Sequence, residues 1–371
     1  MEQGTKIHVG LDVHKASITV AAAEPGRDKA RVVGKVVHDV PKLLKVLAKL
    51  GGVDELHLVY EAGPTGYGLQ RALAARGYTC EVIAPSKTPR QSGQRVKTDA
   101  RDSLDLAEYS RAGTLTPVWI PQPQDEAIRD LSRAREDAVN QRTQVRQQLK
   151  GFLLRHDRRY GGKTSWCATH HDWLARQSFD SAATQTAFTE YWLAVKAADE
   201  RVARLTQALQ QAVRGWRFES VVDALQALRG VAAVSAIGLV AEIGDFGRFE
   251  HPRKLMGYLG LVPSEHSSGE RTSRGSITKT GNGHARRLLI EAAWSYRFKA
   301  RVGKEINARQ QGLSEAIRTT AWKGQLRLSS RYAALQQRGV QANKVCVAVA
   351  RELAGFVWAI GMHAQRERGA A

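Results

Sequence analysis

The order of strand-like and helix-like segments in the first 112 residues is the feature that most limits how this chain can fold. Short apolar runs indicate strands, and apolar residues recurring every three or four positions between breakers indicate helices. The order is three strands, a helix, a strand, a helix, a strand and a helix, which predicts a mixed sheet covered by helices. The predicted strands are 6–13, 17–23, 31–39, 55–60 and 80–84, and the predicted helices are 41–50, 66–76 and 98–112.

Four acidic residues occupy positions that this order would bring together. Asp12 ends the first strand and Glu61 follows the fourth, where an apolar strand has no other need of a charge. The order of elements is that of ribonuclease-H-like (RuvC-like) domains, in which these two strands are neighbours. Asp99 and Asp102 are three residues apart and therefore share one face at the start of the last helix.

Clustered carboxylates repel one another unless a hard cation neutralises them, and Mg²⁺ prefers oxygen ligands. The sequence therefore predicts that Asp12, Glu61, Asp99 and Asp102 hold Mg²⁺, the ion that activates phosphodiesters in many enzymes. A simpler interpretation of Asp99 and Asp102 is that they complement the dipole at the start of a helix. A third interpretation, the phosphate-binding hairpin of sugar kinases and actin-like ATPases, needs a glycine-rich turn after Asp12, and the turn 13–16 has no glycine.

Beyond residue 116 the chain changes character. Pro117, Pro121 and Pro123 mark a linker. Two long helical segments, Asp125 to His156 and Phe188 to Val213, predict a coiled-coil hairpin. The predicted domains are 1–116, ribonuclease-H-like; 117–219, linker and helical arm; and 220–371, mainly helical, which makes the fold class α/β plus α. The segment 161–179 has no predicted structure, and its Cys167, His170 and His171 lack the second ligand pair of a zinc site.

The charge of the chain indicates a polyanionic partner. Its 371 residues contain 56 Lys and Arg against 36 Asp and Glu, a net charge of +20, and residues 121–371 carry +16 of it. No window approaches the roughly 18 uninterrupted apolar residues of a bilayer crossing, since Val345 to Ile360 is cut by Arg351 and Glu352. The N-terminus has no export signal, so we expect a cytoplasmic protein associated with the nucleoid rather than with a membrane.

A loop rich in glycine, serine and basic residues, 264–284, interrupts the last helical domain. Glycine lets the backbone approach a phosphate closely, and arginine can bind two oxygens of a phosphate at once. The loop is therefore a candidate phosphate-binding segment. A serine in it could donate hydrogen bonds or attack a phosphodiester. The candidate nucleic-acid-binding residues in and after the loop are Arg271, Arg274, Lys279, Arg286 and Arg287.

Taken together, these motifs resemble the DEDD-type transposases of the IS-one-ten group of insertion sequences, which includes the Piv-like invertases. The resemblance covers nearly the whole chain. It is carried by 10–12, 60–66 and 97–102 in the first domain and by 257–263, 267–269, 277–282 and 286–289 in the last.

The resemblance implies that Asp12, Glu61, Asp99 and Asp102 are the catalytic acids and that Ser268 is a nucleophile. It also implies that the protein recombines donor and target DNA, guided by a structured bridge RNA. Recombining four DNA strands favours a homodimer or homotetramer. Two alternatives stay open: a Mg²⁺-dependent nuclease that resolves Holliday junctions with water, and a non-catalytic nucleic-acid-binding protein.

Overall fold

A computed structural model describes residues 6–89, 98–265 and 273–369, which form two compact units, Met1–Ile120 and Pro121–Ala371. The described residues of the first unit form five strands, three helices and two short 3₁₀ turns at Val53–Glu55 and Pro85–Lys87. Its strands are β1 (Ile7–Val13), β2 (Ser17–Ala23), β3 (Arg31–Val37), β4 (Leu56–Glu61) and β5 (Thr79–Ile83), and its helices are α1 (Val40–Leu47), α2 (Gly68–Ala74) and α3 (Asp99–Arg111).

The five strands form a mixed sheet in the order β3-β2-β1-β4-β5. β1 and β2 are antiparallel, as are β2 and β3, whereas β4 runs parallel to both β1 and β5. The predicted mixed sheet with helices on its faces is therefore confirmed.

Helices cover both faces of this sheet, and the alternation of side chains along each strand decides which residue faces which helix. Val9 and Leu11 of β1 belong to a core with Leu43 of α1 and Leu73 of α2. On the other face, Val59 and Ile83 pack against Leu106 of α3. A residue next to Leu11 in β1, or two positions after Val59 in β4, therefore lies on the α3 face of the sheet.

The second unit is mainly helical. Its helices are α4 (Pro123–Arg155), α5 (Ala168–Ala175), α6 (Ala182–Ala212), α7 (Glu219–Leu225), α8 (Ala233–Ile243), α9 (Pro252–Tyr258), α10 (Gly283–Ala293), α11 (Lys304–Arg309), α12 (Glu315–Gln337) and α13 (Ala342–Gly369). Two short strands, β6 (Pro263–Glu265) and β7 (Arg274–Ile277), and 3₁₀ turns at Phe246–Arg248 and Trp294–Arg297 complete the described elements.

Helices α4 and α6 form an antiparallel hairpin. Arg146 contacts Asp199 while Arg135, further toward the start of α4, contacts Thr206. The segment 161–179, for which the sequence indicated no structure, contains α5. Leu174 of α5 is buried with Phe152 of α4 and Phe188 of α6, so a small separate core orders the end of the hairpin.

The remaining helices, α7 to α13, enclose the main core of the second unit. By length and composition, α13 is the one helix in the described part of the chain that could cross a membrane, with half of its apolar window buried inside the protein. Val349, Leu353 and Val357 are fully buried in the core, which is the pattern of a soluble protein's central helix. The helix continues to Gly369, and Ala364 near its end also joins the core.

Candidate active site

The first candidate site begins at the carboxyl ends of β1 and β4. These strands are parallel with Leu11 opposite Tyr60, so Asp12 and Glu61 follow side by side. Asp12 alternates with Leu11, and Glu61 lies two positions after Val59, so both carboxylates belong to the α3 face. The structure thus places Asp12 and Glu61 at one edge and on one face of the sheet.

Helix α3 brings two more carboxylates to this face. Gly10 allows the approach, because a Cβ atom there would lie 2.1 Å from the carbonyl oxygen of Ser103 in α3. Thr98 caps the helix by accepting a hydrogen bond from the Arg101 amide, and Asp99 and Asp102 occupy the first turn.

The pKa of Asp12 is affected by the acidic residues around it. Burial raises the pKa of Asp12, and the negative charges of Asp99 and Asp102 raise it further, while His14 acts in the opposite direction. A bound cation would stabilise the ionised form of such a carboxylate and offset the repulsion from its neighbours.

His14, a residue that the sequence did not single out, bridges two of the acids. Its Nε2 atom is 3.0 Å from Asp12 Oδ2 and 3.5 Å from Asp99 Oδ1. Within the described ranges, Asp12, His14 and Asp99 form the group that could hold a metal ion, with one ligand atom of each within 4.8 Å of the others. Glu61 and Asp102 do not belong to this group.

Lys35 of β3 is a second residue that the sequence did not indicate. Its ammonium is 2.8 Å from Asp99 Oδ2, and this hydrogen bond is the main reason why the pKa of Asp99 is below its usual value. Lys35 pairs with Thr19, and Thr19 with Asp12, so the three form one row across the sheet. Thr19 is buried, and its hydroxyl has no hydrogen-bond partner among the described residues.

Glu61 is held separately. Its Oε1 atom accepts a hydrogen bond of 2.9 Å from the Thr88 hydroxyl, just after the 3₁₀ turn that follows β5. The contact fixes Glu61 beside the segment that follows β5.

The second candidate site is the loop 264–284, which we call the serine loop. β6 and β7 pair antiparallel with Glu265 opposite Arg274, and the Ser264 hydroxyl donates to the Ser276 carbonyl at 3.1 Å. Ser268 and Arg271 lie outside the described residues. Of the other basic candidates, Arg274 begins β7 and Lys279 is exposed on the turn that follows it.

The remaining two basic candidates are bonded within the protein. Arg286 donates to the carbonyl oxygen of Leu259 at 2.9 Å. Arg287 bonds the carboxylates of Glu136 at 3.0 Å and Glu291 at 2.6 Å. These arginines therefore hold the base of the loop in place, whatever else they contact.

A buried carboxylate fixes the turn after β7. Glu242 of α8 accepts hydrogen bonds from Arg133 Nε at 2.7 Å and from Asn282 Nδ2 at 2.6 Å, and its side chain is only 3% exposed. The other end of the Asn282 side chain caps α10 by accepting from the Ala285 amide. The turn needs glycine at Gly281, where φ is +78° and a Cβ would lie 2.0 Å from a backbone oxygen.

Glu136 of α4 makes a parallel connection, since it bonds His284 at 3.0 Å as well as Arg287. Sequence reasoning missed both glutamates. For Glu242 a signal existed: it is the one charged residue in the otherwise apolar helix α8, and a lone charge in a buried helix needs a partner.

Two family models match stretches of the chain that include these candidate sites. A family model described as "Transposase", for the DEDD transposases of IS110-type elements, matches residues 9–156, and a model described as "Transposase IS116/IS110/IS902 family" matches residues 222–307. The first match contains the acidic cluster and the second contains the serine loop.

Whole-chain relatives extend the similarity. The protein y4qE of Sinorhizobium fredii is 45% identical over 360 residues, which cover 96% of this chain and 89% of the relative. The transposase for insertion sequence element IS1533 of Leptospira borgpetersenii is 31% identical over 341 residues, covering 90% and 97%. Membership implies DNA cutting and rejoining on DNA substrates, and the DEDD type indicates use of a divalent metal, with Asp12, His14 and Asp99 as a possible site. The chain belongs to the IS110 family of DEDD transposases.

Proposed function

We propose that this transposase cuts and rejoins DNA with Mg²⁺ held by Asp12, Glu61, Asp99 and Asp102. The observation that carries the proposal is the convergence of Asp12 and Asp99, two acids 87 positions apart, on His14. Burial and neighbouring negative charge both raise the pKa of Asp12. A bound cation would therefore lower the free energy of the ionised carboxylate and stabilise the folded protein.

The donor set fits magnesium. Carboxylate oxygens are the ligands that Mg²⁺ prefers, and the Lys35 ammonium on Asp99 shows that the site already attracts positive charge. Imidazole is a poorer ligand for magnesium, so His14 would orient Asp12 and Asp99 by hydrogen bonding. When bound, Mg²⁺ would polarise the scissile phosphate and offset the charge that develops there.

In this proposal Ser268 is the nucleophile. Its Oγ forms a bond to phosphorus, the bond from phosphorus to the leaving deoxyribose oxygen breaks, and the proton lost by serine ends on that oxygen. Attack by a deoxyribose hydroxyl on the phosphoserine reverses these changes and rejoins DNA. The paired strands β6 and β7 and the Glu242 and Glu136 contacts support the segment that carries Ser268.

We also propose that a structured bridge RNA selects donor and target DNA. The +16 charge of residues 121–371 supports a large polyanionic partner. Exchange of four DNA strands requires at least two active sites, which favours a homodimer or homotetramer, with the α4 and α6 hairpin as its assembly arm.

The experiment is to trap the protein on labelled DNA that spans the junction of the insertion sequence, in Mg²⁺, and to separate the products under denaturing conditions. We expect a covalent complex with the wild type and with Ser267→Ala, the matched control, and none with Ser268→Ala. Asp12→Asn is expected to prevent cleavage as well.

Two outcomes would replace the proposal. If Ser268→Ala still cuts with Mg²⁺, the protein is a nuclease that uses water, as Holliday-junction-resolving enzymes do. If the wild type binds DNA without cutting it, and neither Ser268→Ala nor Asp12→Asn changes that binding, the protein is a non-catalytic nucleic-acid-binding protein.

A further inference from the structure

Four large apolar side chains are exposed between residues 298 and 326 of the second unit, after the serine loop in sequence. Phe298 is 53% exposed, Val302 40%, Trp322 39% and Leu326 46%. Isolated exposed apolar residues need no explanation, whereas a group of them at one place indicates a binding surface.

A hydrogen bond to Gln325 brings the segment that carries Phe298 and Val302 next to α12. The backbone amide of Arg301 donates to Gln325 Oε1 at 2.6 Å, so the segment with Phe298 and Val302 lies along α12. Trp322 and Leu326 are one turn apart on that helix, on the side next to Gln325.

Arg229 confirms this arrangement from a third element. Its guanidinium is 5.8 Å from the centre of the Phe298 ring and 3.5 Å from Gln325 Oε1, and it also donates to the carbonyl oxygen of Lys299 at 2.8 Å. We call the surface formed by Phe298, Val302, Trp322 and Leu326 the aromatic patch.

The surroundings of the aromatic patch are strongly basic. Residues 297–331 contain nine Lys and Arg and only two Asp and Glu. On α12 the exposed basic residues Arg318, Lys323 and Arg327 lie next to, or one turn from, the exposed Trp322 and Leu326. The Arg297 guanidinium lies 4.6 Å from the centre of the Phe298 ring.

We propose that the aromatic patch binds unpaired bases of single-stranded DNA. Exposed aromatic rings stack on bases of any sequence, and the surrounding cations neutralise the phosphates between them. A second copy of this chain would bring the same excess of cations to the contact, so like charges oppose self-association there. The DNA substrate of a transposase passes through unpaired states when strands are exchanged, which gives such a surface its use.

The test measures the affinity of full-length protein for a labelled single-stranded oligothymidine and for a duplex of equal length, by fluorescence anisotropy in EDTA so that no DNA is cut. We expect Trp322→Ala to weaken single-strand binding about ten-fold and to leave duplex binding within two-fold. Trp322→Phe, which keeps an aromatic ring, should retain most of the affinity.

Leu154→Ala is the matched control, because Leu154 is an exposed leucine, 60% exposed, in α4. It should change neither affinity. Trp322 is outside the buried core, at 39% exposure, and circular dichroism checks that the variants are folded.

Three results would overturn the proposal: equal single-strand affinity for Trp322→Ala and wild type, equal weakening of single-strand and duplex binding, or an effect on oligouridine RNA without one on DNA. A change of oligomeric state in Trp322→Ala would assign the patch to a second copy instead. None of these results depends on Mg²⁺ or on Ser268, so the proposed chemistry is tested separately.

Discussion

Gly10 of β1 and Ser103 of α3 lie so close together that a Cβ added to Gly10 would be 2.1 Å from the Ser103 carbonyl oxygen. The missing side chain sets the distance between β1 and α3. Asp12 lies two residues after Gly10, and Asp99 and Asp102 lie in the turn of α3 that precedes Ser103. The spacing of the acidic cluster therefore depends on a residue that carries no functional group.

Gly10→Ala should displace α3 and disturb the site. Overpacking of this kind costs about 1–3 kcal/mol of unfolding free energy, and we expect a parallel loss of divalent-metal affinity. Gly34→Ala is the matched control, since Gly34 lies in β3 of the same sheet with nothing within 4 Å of its added Cβ. Equal stability of the two variants in urea unfolding would show that α3 does not need the close approach.

Lys35→Met should tighten metal binding. The Lys35 ammonium pairs with the Asp99 carboxylate, so a metal ion that binds this carboxylate must displace the ammonium. Because both side chains are about half exposed, the gain should be small, at most about five-fold. Titration calorimetry with Mg²⁺ measures it, with Lys42→Met, an exposed lysine of α1, as the control. Weaker binding in Lys35→Met would mean that Lys35 supports the site and does not compete for it.

Acid should destabilise the second unit through Asp125. Burial acts to raise the pKa of Asp125, but the hydrogen bonds from Arg217, Trp216 and the Gln122 amide outweigh it, and the pKa is lowered overall. A carboxyl with a lower pKa in the folded state than in the unfolded state stabilises the fold above its unfolded pKa. That contribution disappears as the pH falls through the folded pKa.

Asp125→Asn should therefore lower the unfolding free energy by about 3 kcal/mol at neutral pH and flatten its decline below pH ~4. Chemical denaturation across this pH range measures both quantities. Asp130→Asn, at an exposed position of the same helix, serves as control. A decline in acid as steep in Asp125→Asn as in the wild type would assign the acid sensitivity to other groups.

Glu242→Gln should weaken the connection between the serine loop and α4 while sparing the acidic cluster. The substitution keeps the size of the side chain but removes the charge that Arg133 and Asn282 share. Hydrogen bonds to a charged group contribute about 1.5–3 kcal/mol, so we expect a loss of that order in stability and a loss of strand cleavage. Mg²⁺ affinity should be unchanged, and Glu250→Gln, an exposed glutamate, should behave as wild type. Normal cleavage by Glu242→Gln would show that the loop does not need this anchor.

The sequence predicted the sheet and the place of Asp12 and Glu61 because both follow from local patterns. Strand period and strand ends can be counted along the chain, and a charge after an apolar run is visible without the fold. His14 and Lys35 could not be found in this way, since Lys35 reaches Asp99 only through the register of β3 on β2. The helix α5 was missed because it is short and ordered by Phe152 and Phe188 of distant helices.

Titration of the full-length protein with Mg²⁺, comparing wild type with Asp12→Asn, Asp99→Asn and the exposed control Asp54→Asn, tests most directly whether the acids of the first unit form a metal site. We expect wild type and Asp54→Asn to bind alike, and each of the other two variants to bind at least about ten-fold more weakly. If Asp12→Asn and Asp99→Asn bind Mg²⁺ as tightly as wild type, the acidic cluster is not the metal site.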